Sequence, residues 1–267
     1  MSELLHAFGD GAIVAKRNLI KIKRVPEVLV FVLISPIMFV LLFVYVFGAS
    51  IEIPGVPYRE FLIAGIFAQT VVFGATFTGA GLAEDMQKGI IDRFRSLPMS
   101  RSAVLVGRTA SDIVYNLLSI IIMSLTGLLV GWRIRNSLLD ALGGFLLLLV
   151  FAYAFSWIMA FVGLVVPSVE VINNASFIVI FPLTFIANTF VPSENLPGPL
   201  RTFAEWNPVS AVTQAAREAF GNTNPAFPVP EVWPLQNPVA YTLIWVAIIL
   251  AVFVPLSVWQ YKRSATR

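Results

Sequence analysis

Six long apolar stretches constrain this chain more than any other feature of its sequence. A helix that crosses the ~30 Å hydrocarbon core of a bilayer needs about 20 mostly apolar residues, and each stretch is of that order. They are residues 27–49, 59–82, 103–131, 138–166, 171–190 and 238–260. Because unpaired backbone groups are costly in lipid, the stretches are predicted to be helices. We therefore expect an all-α membrane protein, with six transmembrane helices forming a single domain over residues 1–267.

The composition excludes an ordinary soluble domain. Hydrophobic residues make up 58% of the chain and charged residues 12%, whereas soluble domains carry about 25% charged residues. The alternating pattern of a transmembrane barrel is absent. With no cysteine and a single histidine, His6, the sequence offers no disulfide or thiolate metal site. No catalytic, cofactor or metal site is therefore expected in this chain.

The distribution of basic residues predicts the orientation, since Lys and Arg are enriched in cytoplasmic segments. Thirteen of the 18 Lys and Arg residues belong to one side: Lys16, Arg17, Lys21, Lys23, Arg24, Lys88, Arg93, Arg95, Arg101, Arg108, Lys262, Arg263 and Arg267. The opposite side has Arg59, Arg133, Arg135, Arg201 and Arg217. Both termini are therefore predicted to be cytoplasmic, in a multi-pass protein of the cell membrane.

Two segments on the predicted cytoplasmic side are amphipathic. Residues 1–25 repeat apolar side chains at steps of three and four, which fits either an interfacial helix or an ordinary basic flank. Residues 83–102 form a loop with a short helix ending before Pro98, where the residue preceding proline resists helical geometry. The apolar side of this short helix suits either lipid or another protein. Its spacing alone slightly favours lipid.

Residues 191–237 form a long segment on the predicted extracellular side. Leu200, Phe203, Ala204 and Trp206 predict one short amphipathic helix, which Asn207–Pro208 ends. The apolar spacing from Val209 to Phe220 predicts a second, which Gly221–Asn222 ends. Both helices are expected at the outer membrane face or dipping into it.

Polar residues inside the apolar stretches are the remaining candidate functional groups. Arg108, Asp112 and Asn116 recur every four residues on the third stretch and form either a polar track facing the protein interior or a neutralised pair near the head groups. Gln69, Thr70, Asn173 and Asn174 line a translocation path or, as the alternative, make hydrogen bonds between helices.

Two groups of motifs resemble the ABC-2 type permeases. One is the loop from Glu84-Asp85-Met86-Gln87-Lys88-Gly89 to Phe94-Arg95-Ser96-Leu97-Pro98. The other comprises Phe190-Val191-Pro192, Leu196-Pro197-Gly198 and Ala204-Glu205-Trp206-Asn207-Pro208-Val209. The resemblance extends over nearly the whole chain and is greatest to the daunorubicin-resistance-type permeases of actinomycetes.

The resemblance implies an exporter for hydrophobic drugs, lipids or glycoconjugates, built from two permease protomers, identical or different, and two copies of a separate ATPase. ATP and Mg would bind the ATPase, and nucleic acid is not an expected partner. The loop after the second span would dock on the ATPase as a coupling helix. Its residues here would be Glu84, Asp85, Gly89, Arg93, Phe94, Arg95, Leu97 and Pro98.

Without the resemblance, two other functions have to be considered: a self-sufficient secondary transporter and a membrane-embedded enzyme. A self-sufficient secondary transporter needs coupling-ion sites or repeat pairs near the midplane, and the centres of the stretches contain almost no carboxylates. A membrane-embedded lipid-modifying enzyme needs a catalytic constellation, and none stands out. The chain also lacks a Gly-x-x-x-x-Gly-Lys-Ser/Thr loop for nucleotide phosphates, so energy from ATP would have to come from a partner.

Overall fold

The structure, a computed structural model, describes residues 13–15, 17, 18, 20, 26–48, 51, 53, 55–95, 103–166, 168–224 and 229–263. Residues 26–33, 92, 94 and 95 are described by their backbone alone. All regular secondary structure in this part of the chain is helical, as predicted.

The helices follow one another with short connections. They are α1 (Pro26–Leu42, continued by a π-helical turn over Phe43–Phe47), α2 (Tyr58–Gly74), α3 (Thr76–Gln87), α4 (Ile90–Arg95), α5 (Ala103–Leu129), α6 (Leu138–Val165), α7 (Val169–Phe185), α8 (Gly198–Trp206), α9 (Pro208–Phe220), α10 (Trp233–Gln236) and α11 (Pro238–Arg263). Residues 13–15, 17, 18 and 20, here called the N-terminal segment, are also helical.

Four helical stretches in the described residues are long and apolar enough to cross a membrane. They are α2 with α3 (Tyr58–Gln87), α5, α6 and α11. Apolar helices also run over Ile34–Phe47 and Val169–Phe185, but they are shorter. Large apolar side chains on the outer surfaces, including Leu129, Leu139 and Ile178, are exposed, as expected where lipid replaces water as the solvent.

Helix α6 packs against α2, α3, α5, α9 and α11 and forms the centre of the bundle. Ser137 begins it, because its hydroxyl accepts a hydrogen bond from the Asp140 N–H at 3.2 Å and donates to the Asp140 carboxylate at 2.7 Å. Near the other end, a Cβ on Gly163 would lie 2.4 Å from the Gly79 carbonyl oxygen. Glycine at 163 therefore permits the closest approach of α6 to α3.

The predicted second span differs from the structure at its middle and at its end. It consists of two helices that meet at Ala75, where the Thr76 hydroxyl donates to the Phe73 carbonyl at 2.7 Å. Residues 83–87, predicted to open the cytoplasmic loop, instead form the last turns of α3. The helix continues because Ala83 and Asp85 are buried against neighbouring elements.

The predicted fifth span, 171–190, is also corrected by the structure, in which α7 runs from Val169 to Phe185. The Asn207 side chain ends this helix by donating to the carbonyl oxygens of Leu183 and Ile186 at 2.7 and 3.0 Å. Its Oδ1 atom also accepts from the Val209 N–H at 2.9 Å and so caps α9. One side chain thus joins the end of α7 to the start of α9.

Helices α8 and α9 lie where the amphipathic patterns predicted helices, and Gly221 ends α9 with a left-handed φ of 71°. Helix α9 is buried on nearly all sides, however, and packs against α2, α6 and α11. Its small side chains, such as Ala211, Ala215 and Ala216, let these neighbours come close. The pattern identified the helix but not its burial.

Candidate functional site

The predicted ATPase-coupling residues lie around the turn between α3 and α4. Glu84 and Lys88 form an ion pair of 2.5 Å, and Gly89 has a φ of 63° that lets the chain turn into α4. Ile91 is buried in a cluster with Leu82 and Leu105 and so anchors α4 to the bundle.

The remaining predicted coupling residues follow Ile91 in the sequence. Arg93 is exposed. Phe94 and Arg95 belong to the last turn of α4 and are described by backbone alone, while Leu97 and Pro98 lie outside the described residues.

Asp85 connects the end of α3 to the N-terminal segment. Its buried carboxylate pairs with the Arg17 guanidinium at 2.7 Å. Next to Arg17, the Asn18 amide donates to the Ser111 hydroxyl of α5 at 3.2 Å. The N-terminal segment thereby joins α3 to α5, a contact that the sequence pattern did not predict.

The three residues of the predicted polar track all face the junction of α2 and α3. The Arg108 guanidinium donates to the Phe77 carbonyl at 2.6 Å, and the Thr78 hydroxyl donates to the Asp112 carboxylate. Asn116 approaches Gly74 so closely that a Cβ there would lie 2.7 Å from its Oδ1 atom.

The predicted pairing of Arg108 with Asp112 is absent from the ion pairs formed by the described residues. Each side chain instead bonds to the neighbouring helix, Arg108 to the Phe77 carbonyl and Asp112 to the Thr78 hydroxyl. The polar track therefore connects α5 to α3, and its two charged residues do not form an ion pair along α5.

A cavity of about 620 Å³ lies beside this junction, between α1, α2, α3, α5 and α7. We call it the aromatic cavity. Its lining residues are Ser35, Pro36, Phe39, Gln69, Thr70, Phe73, Gly74, Thr76, Phe77, Tyr115, Ser119, Phe177 and Phe181. Phe177 and Phe181 stack with ring centroids 5.0 Å apart. A volume of this size is typical of sites for small organic ligands.

Gln69 supplies a polar group to the aromatic cavity. It is buried, and its amide makes no hydrogen bond to the other described residues. The Tyr115 hydroxyl also has no partner, but its oxygen is fully buried. Of the four residues predicted to line a path, Gln69 and Thr70 line this cavity, whereas Asn173 and Asn174 lie on the exposed face of α7 outside it.

A separate polar cluster lies at the opposite end of α2. The buried Glu60 carboxylate accepts two hydrogen bonds from Arg135, at 2.6 and 2.7 Å, and these bonds raise the pKa of the Arg135 guanidinium. Asn222 donates to Glu60 at 3.3 Å and accepts from the indole of Trp132 at 2.7 Å. The cluster joins the start of α2, the α5–α6 connection and the end of α9.

Arg217 is the functional candidate that the sequence analysis missed. It is only 1% exposed and donates to the carbonyls of Phe61, Asn188 and Thr189 at 2.6–3.1 Å. Its guanidinium also lies 3.4 Å from the ring centroid of Phe61. The sequence feature that could have identified Arg217 as buried is its position on a short helix of small residues, because neighbouring helices can pack closely around such a helix.

The described residues contain no group of three or more His, Cys, Asp and Glu side chains that could hold a metal ion. The polar and aromatic residues that line cavities in this part of the chain carry amides, hydroxyls, aromatic rings, the Arg217 guanidinium and the carboxylates of Asp140, Glu194 and Glu218. These groups bind and orient molecules by hydrogen bonding and stacking.

Comparison with known proteins identifies the family. Residues 12–220 match the model of the ABC-2 type transporter family. Over 248 residues the chain is 32% identical to the daunorubicin resistance ABC transporter permease protein DrrB1 of Streptomyces coeruleorubidus, covering 93% of this chain and 84% of that protein. It is 25% identical over 197 residues to the probable doxorubicin resistance ABC transporter permease protein DrrC of Mycobacterium tuberculosis, covering 73% and 67%. The chain therefore belongs to the ABC-2 type transporter family and is a transmembrane permease subunit of an ABC exporter.

Proposed function

We propose that this chain, with a second permease protomer and two copies of a separate ATPase, exports a hydrophobic or amphipathic compound across the bacterial cell membrane. The observation that carries the proposal is a continuous line of contacts to the aromatic cavity from residues 84–98, which contain the predicted ATPase-coupling residues and are here called the coupling segment. Asp85 and the N-terminal segment connect α3 to α5, and the polar track connects α5 to the wall of the cavity. If an ATPase moved α4, the movement would thus be transmitted through α3 to the walls of the aromatic cavity.

The aromatic cavity suits an amphipathic cargo. Its Phe rings favour planar or apolar groups, which they contact by stacking or edge-on. The unpartnered Gln69 amide would bond to a polar group of the cargo. A purely apolar cargo would leave this buried amide unsatisfied, at a cost of about 1–3 kcal/mol.

Gln69→Leu is expected to reduce cargo affinity without preventing assembly. Leucine keeps much of the side-chain volume and removes only the hydrogen-bonding amide, so the apparent affinity for cargo should fall about tenfold. The measurement is the concentration dependence of efflux of a compound that carries fused aromatic rings and an amino group, such as daunorubicin, from cells at matched membrane abundance. Asn173→Leu, which changes an exposed amide outside the cavity, is the matched control. Equal affinities for the two variants would contradict a cargo site here.

Energy for export would come from the partner ATPase, because no phosphate-binding loop occurs in the sequence. The chain should co-purify with an ATPase encoded beside it, and cargo should stimulate ATP hydrolysis by the pair. The isolated permease should show no saturable binding of a fluorescent ATP analogue. Saturable binding by this subunit alone would defeat the division of labour that we propose.

We further propose six membrane crossings, with Pro26–Phe47 and Val169–Phe185 crossing beside the four longer helical stretches. Proline at 36 and 182 lies inside these helices, which membrane helices tolerate when neighbours satisfy the freed carbonyls. An even number of crossings places both termini on one side. The excess of basic residues there makes that side cytoplasmic.

Single cysteines test this topology against a background that has none. A cysteine at Thr223 should react with a membrane-impermeant maleimide added to intact cells, whereas one at Ser264 should react only after permeabilisation. The measurement is labelling of the immunoprecipitated protein under both conditions. Reversed labelling would overturn the orientation, and labelling of both sites in intact cells would overturn the even number of crossings.

A further inference from the structure

A groove of about 560 Å³ lies between α6, α9 and α11. We call it the acidic groove. The first turns of α6 and α11 and the last turns of α9 line it, and it shares no lining residue with the aromatic cavity. Leu139, Leu146 and Leu243 belong to its lining and are exposed. Because these leucines lie on two helices that are long and apolar enough to cross a membrane, the groove is open on a side that lipid would cover.

Two neighbouring glycines shape the acidic groove. A Cβ on Gly144 would lie 2.8 Å from the Cβ of Ala219, so α6 and α9 are in close contact there. A Cβ on Gly143 would meet no atom within 4 Å. The groove is therefore open space that remains beside a close contact between two helices.

Two carboxylates, those of Asp140 and Glu218, lie at one end of this groove. Asp140 belongs to the first turn of α6 and Glu218 to the last turn of α9. The Asn136 amide donates to the Glu218 carbonyl at 2.7 Å and so joins the start of α6 to the end of α9. This bond holds the two acidic residues on one side of the bundle.

Each carboxylate has one oxygen available to a ligand. The Ser137 hydroxyl donates to Oδ2 of Asp140 at 2.7 Å, and the Gln214 amide donates to Oε1 of Glu218 at 3.0 Å. The other oxygen of each carboxylate makes no hydrogen bond to the described residues. Asp140 is exposed, and Glu218 is half-buried with its second oxygen still accessible. A molecule in the groove can therefore reach both oxygens.

The negative charge of the acidic groove is not compensated by the part of the chain that the structure describes. Neither carboxylate forms an ion pair with the described residues, and no Lys, Arg or His is among those that line the groove. Arg135, close by in the sequence, is held by Glu60 at 2.6 Å. Burial raises the pKa of Glu218, and a cation beside this carboxylate would favour its charged form.

The lining favours a simple amphiphilic cation over a membrane phospholipid. An ammonium group would match the two carboxylates, and a hydrocarbon group would match the leucines farther along the groove. A phospholipid with an ammonium head group also carries a phosphate. That phosphate would meet the same carboxylates, and no basic residue lines the groove to offset the repulsion.

We propose that the acidic groove binds amphiphilic cations, with the ammonium group beside Asp140 and Glu218 and the hydrocarbon group against Leu146, Val150 and Leu243. The site is separate from the aromatic cavity, and binding to it requires neither export nor the ATPase. It would hold such a cation on the outer surface of the bundle, where the groove opens toward lipid.

The test uses Leu139→Cys, because Leu139 is exposed, lines the groove beside Asp140 and lies in a chain without cysteine. The full chain is placed in phosphatidylcholine nanodiscs without an ATPase. The rate of maleimide labelling is measured with decyltrimethylammonium, decylphosphocholine or decyl maltoside, which share one hydrocarbon chain and differ in the head group. At about ten times its dissociation constant, decyltrimethylammonium should slow labelling about tenfold. The other two probes should have little effect at the same concentration.

Leu142→Cys is the matched reporter, because Leu142 is exposed on the same part of α6 but does not line the groove. Its labelling rate should not depend on the probe, so it controls for partition of the probes into the bilayer.

Asp140→Asn and Glu218→Gln, each in the Leu139→Cys background, should weaken the protection about tenfold because each removes one negative charge. Both substitutions keep the oxygen that accepts from Ser137 or Gln214, so the melting temperature should not change. Glu231→Gln, which changes an exposed carboxylate outside the groove, should leave the protection intact.

Four results would overturn the proposal. Equal slowing at residues 139 and 142, or no slowing by any probe, would show that the groove has no site. Equal protection by decyl maltoside would show an apolar groove that does not recognise charge. Equal protection by decylphosphocholine would make the groove a site for lipid head groups. Protection that survives both Asp140→Asn and Glu218→Gln would remove the role assigned to the carboxylates.

Discussion

Replacing Phe94 with alanine or Arg95 with glutamate is expected to abolish export and to release the ATPase from the permease. Both residues belong to the last turn of α4, which Ile91 anchors to the bundle. If α4 docks on the ATPase, Phe94 fills a groove there and Arg95 faces acidic residues. Truncating an aromatic anchor at an interface costs about 2 kcal/mol or more, and leaving a partner charge unpaired costs a similar amount.

The measurement is pull-down of the ATPase by each variant at equal membrane abundance, together with efflux. Phe203→Ala and Lys262→Glu are matched controls, because both residues are exposed and lie outside the coupling segment. Neither control should reduce pull-down. Glu84 and Arg93 belong to the same proposed surface, so charge reversal at either should weaken docking more moderately.

A lipid-contact role for α4 makes a different prediction. Arg95→Glu would then loosen the loop from the membrane while the ATPase still co-purified. Normal pull-down and normal efflux from both Phe94→Ala and Arg95→Glu would remove the coupling role altogether.

Asn207→Ala is expected to destabilise the fold by about 3 kcal/mol or more. The substitution leaves the carbonyls of Leu183 and Ile186 and the Val209 N–H without their partner. Each buried group left unsatisfied costs about 1–3 kcal/mol. The end of α7 and the start of α9 should therefore separate, and the turn that holds Asn188 beside Arg217 should lose its support.

Asn207→Asp tests separately the two roles of Asn207, which are donation to the α7 carbonyls and capping of α9. Aspartate keeps the oxygen that caps α9 but loses the two donors to α7, so it should destabilise the protein nearly as much as alanine does. The measurement is the thermal unfolding midpoint in detergent, with Asn174→Ala as the control on an exposed asparagine. Full stability of Asn207→Asp would show that the α7 carbonyls need no partner.

The sequence predicted most of the helix positions well. The ranges 103–131, 138–166 and 238–260 correspond to α5, α6 and α11 within three residues at each end. This agreement has a physical basis, since long apolar runs must be helical in lipid and Pro, Gly and capping Ser residues end them locally. The motif Asn207-Pro208-Val209 indicated the family, and its asparagine proved to have a structural role.

Contacts between distant parts of the chain lay beyond prediction. The pairing of Arg17 with Asp85 and the separate bonds of Arg108 and Asp112 depend on which element lies opposite. Periodicity locates a face of a helix but not its partner. Only the packed helices therefore show that Gln69 and Thr70 line the aromatic cavity. Asn173 and Asn174 lie outside it.

Arg217 is the clearest example of a residue whose helix could be predicted from the sequence but whose contacts could not. Its position on a short amphipathic helix follows from spacing, but spacing does not show whether the side chain is buried. Packing of α9 among α2, α6 and α11 buries it, and three carbonyls from two other segments make that burial tolerable. Local sequence specifies helix type and length because those depend on neighbouring residues, whereas the polar sites form from groups as far as 162 positions apart.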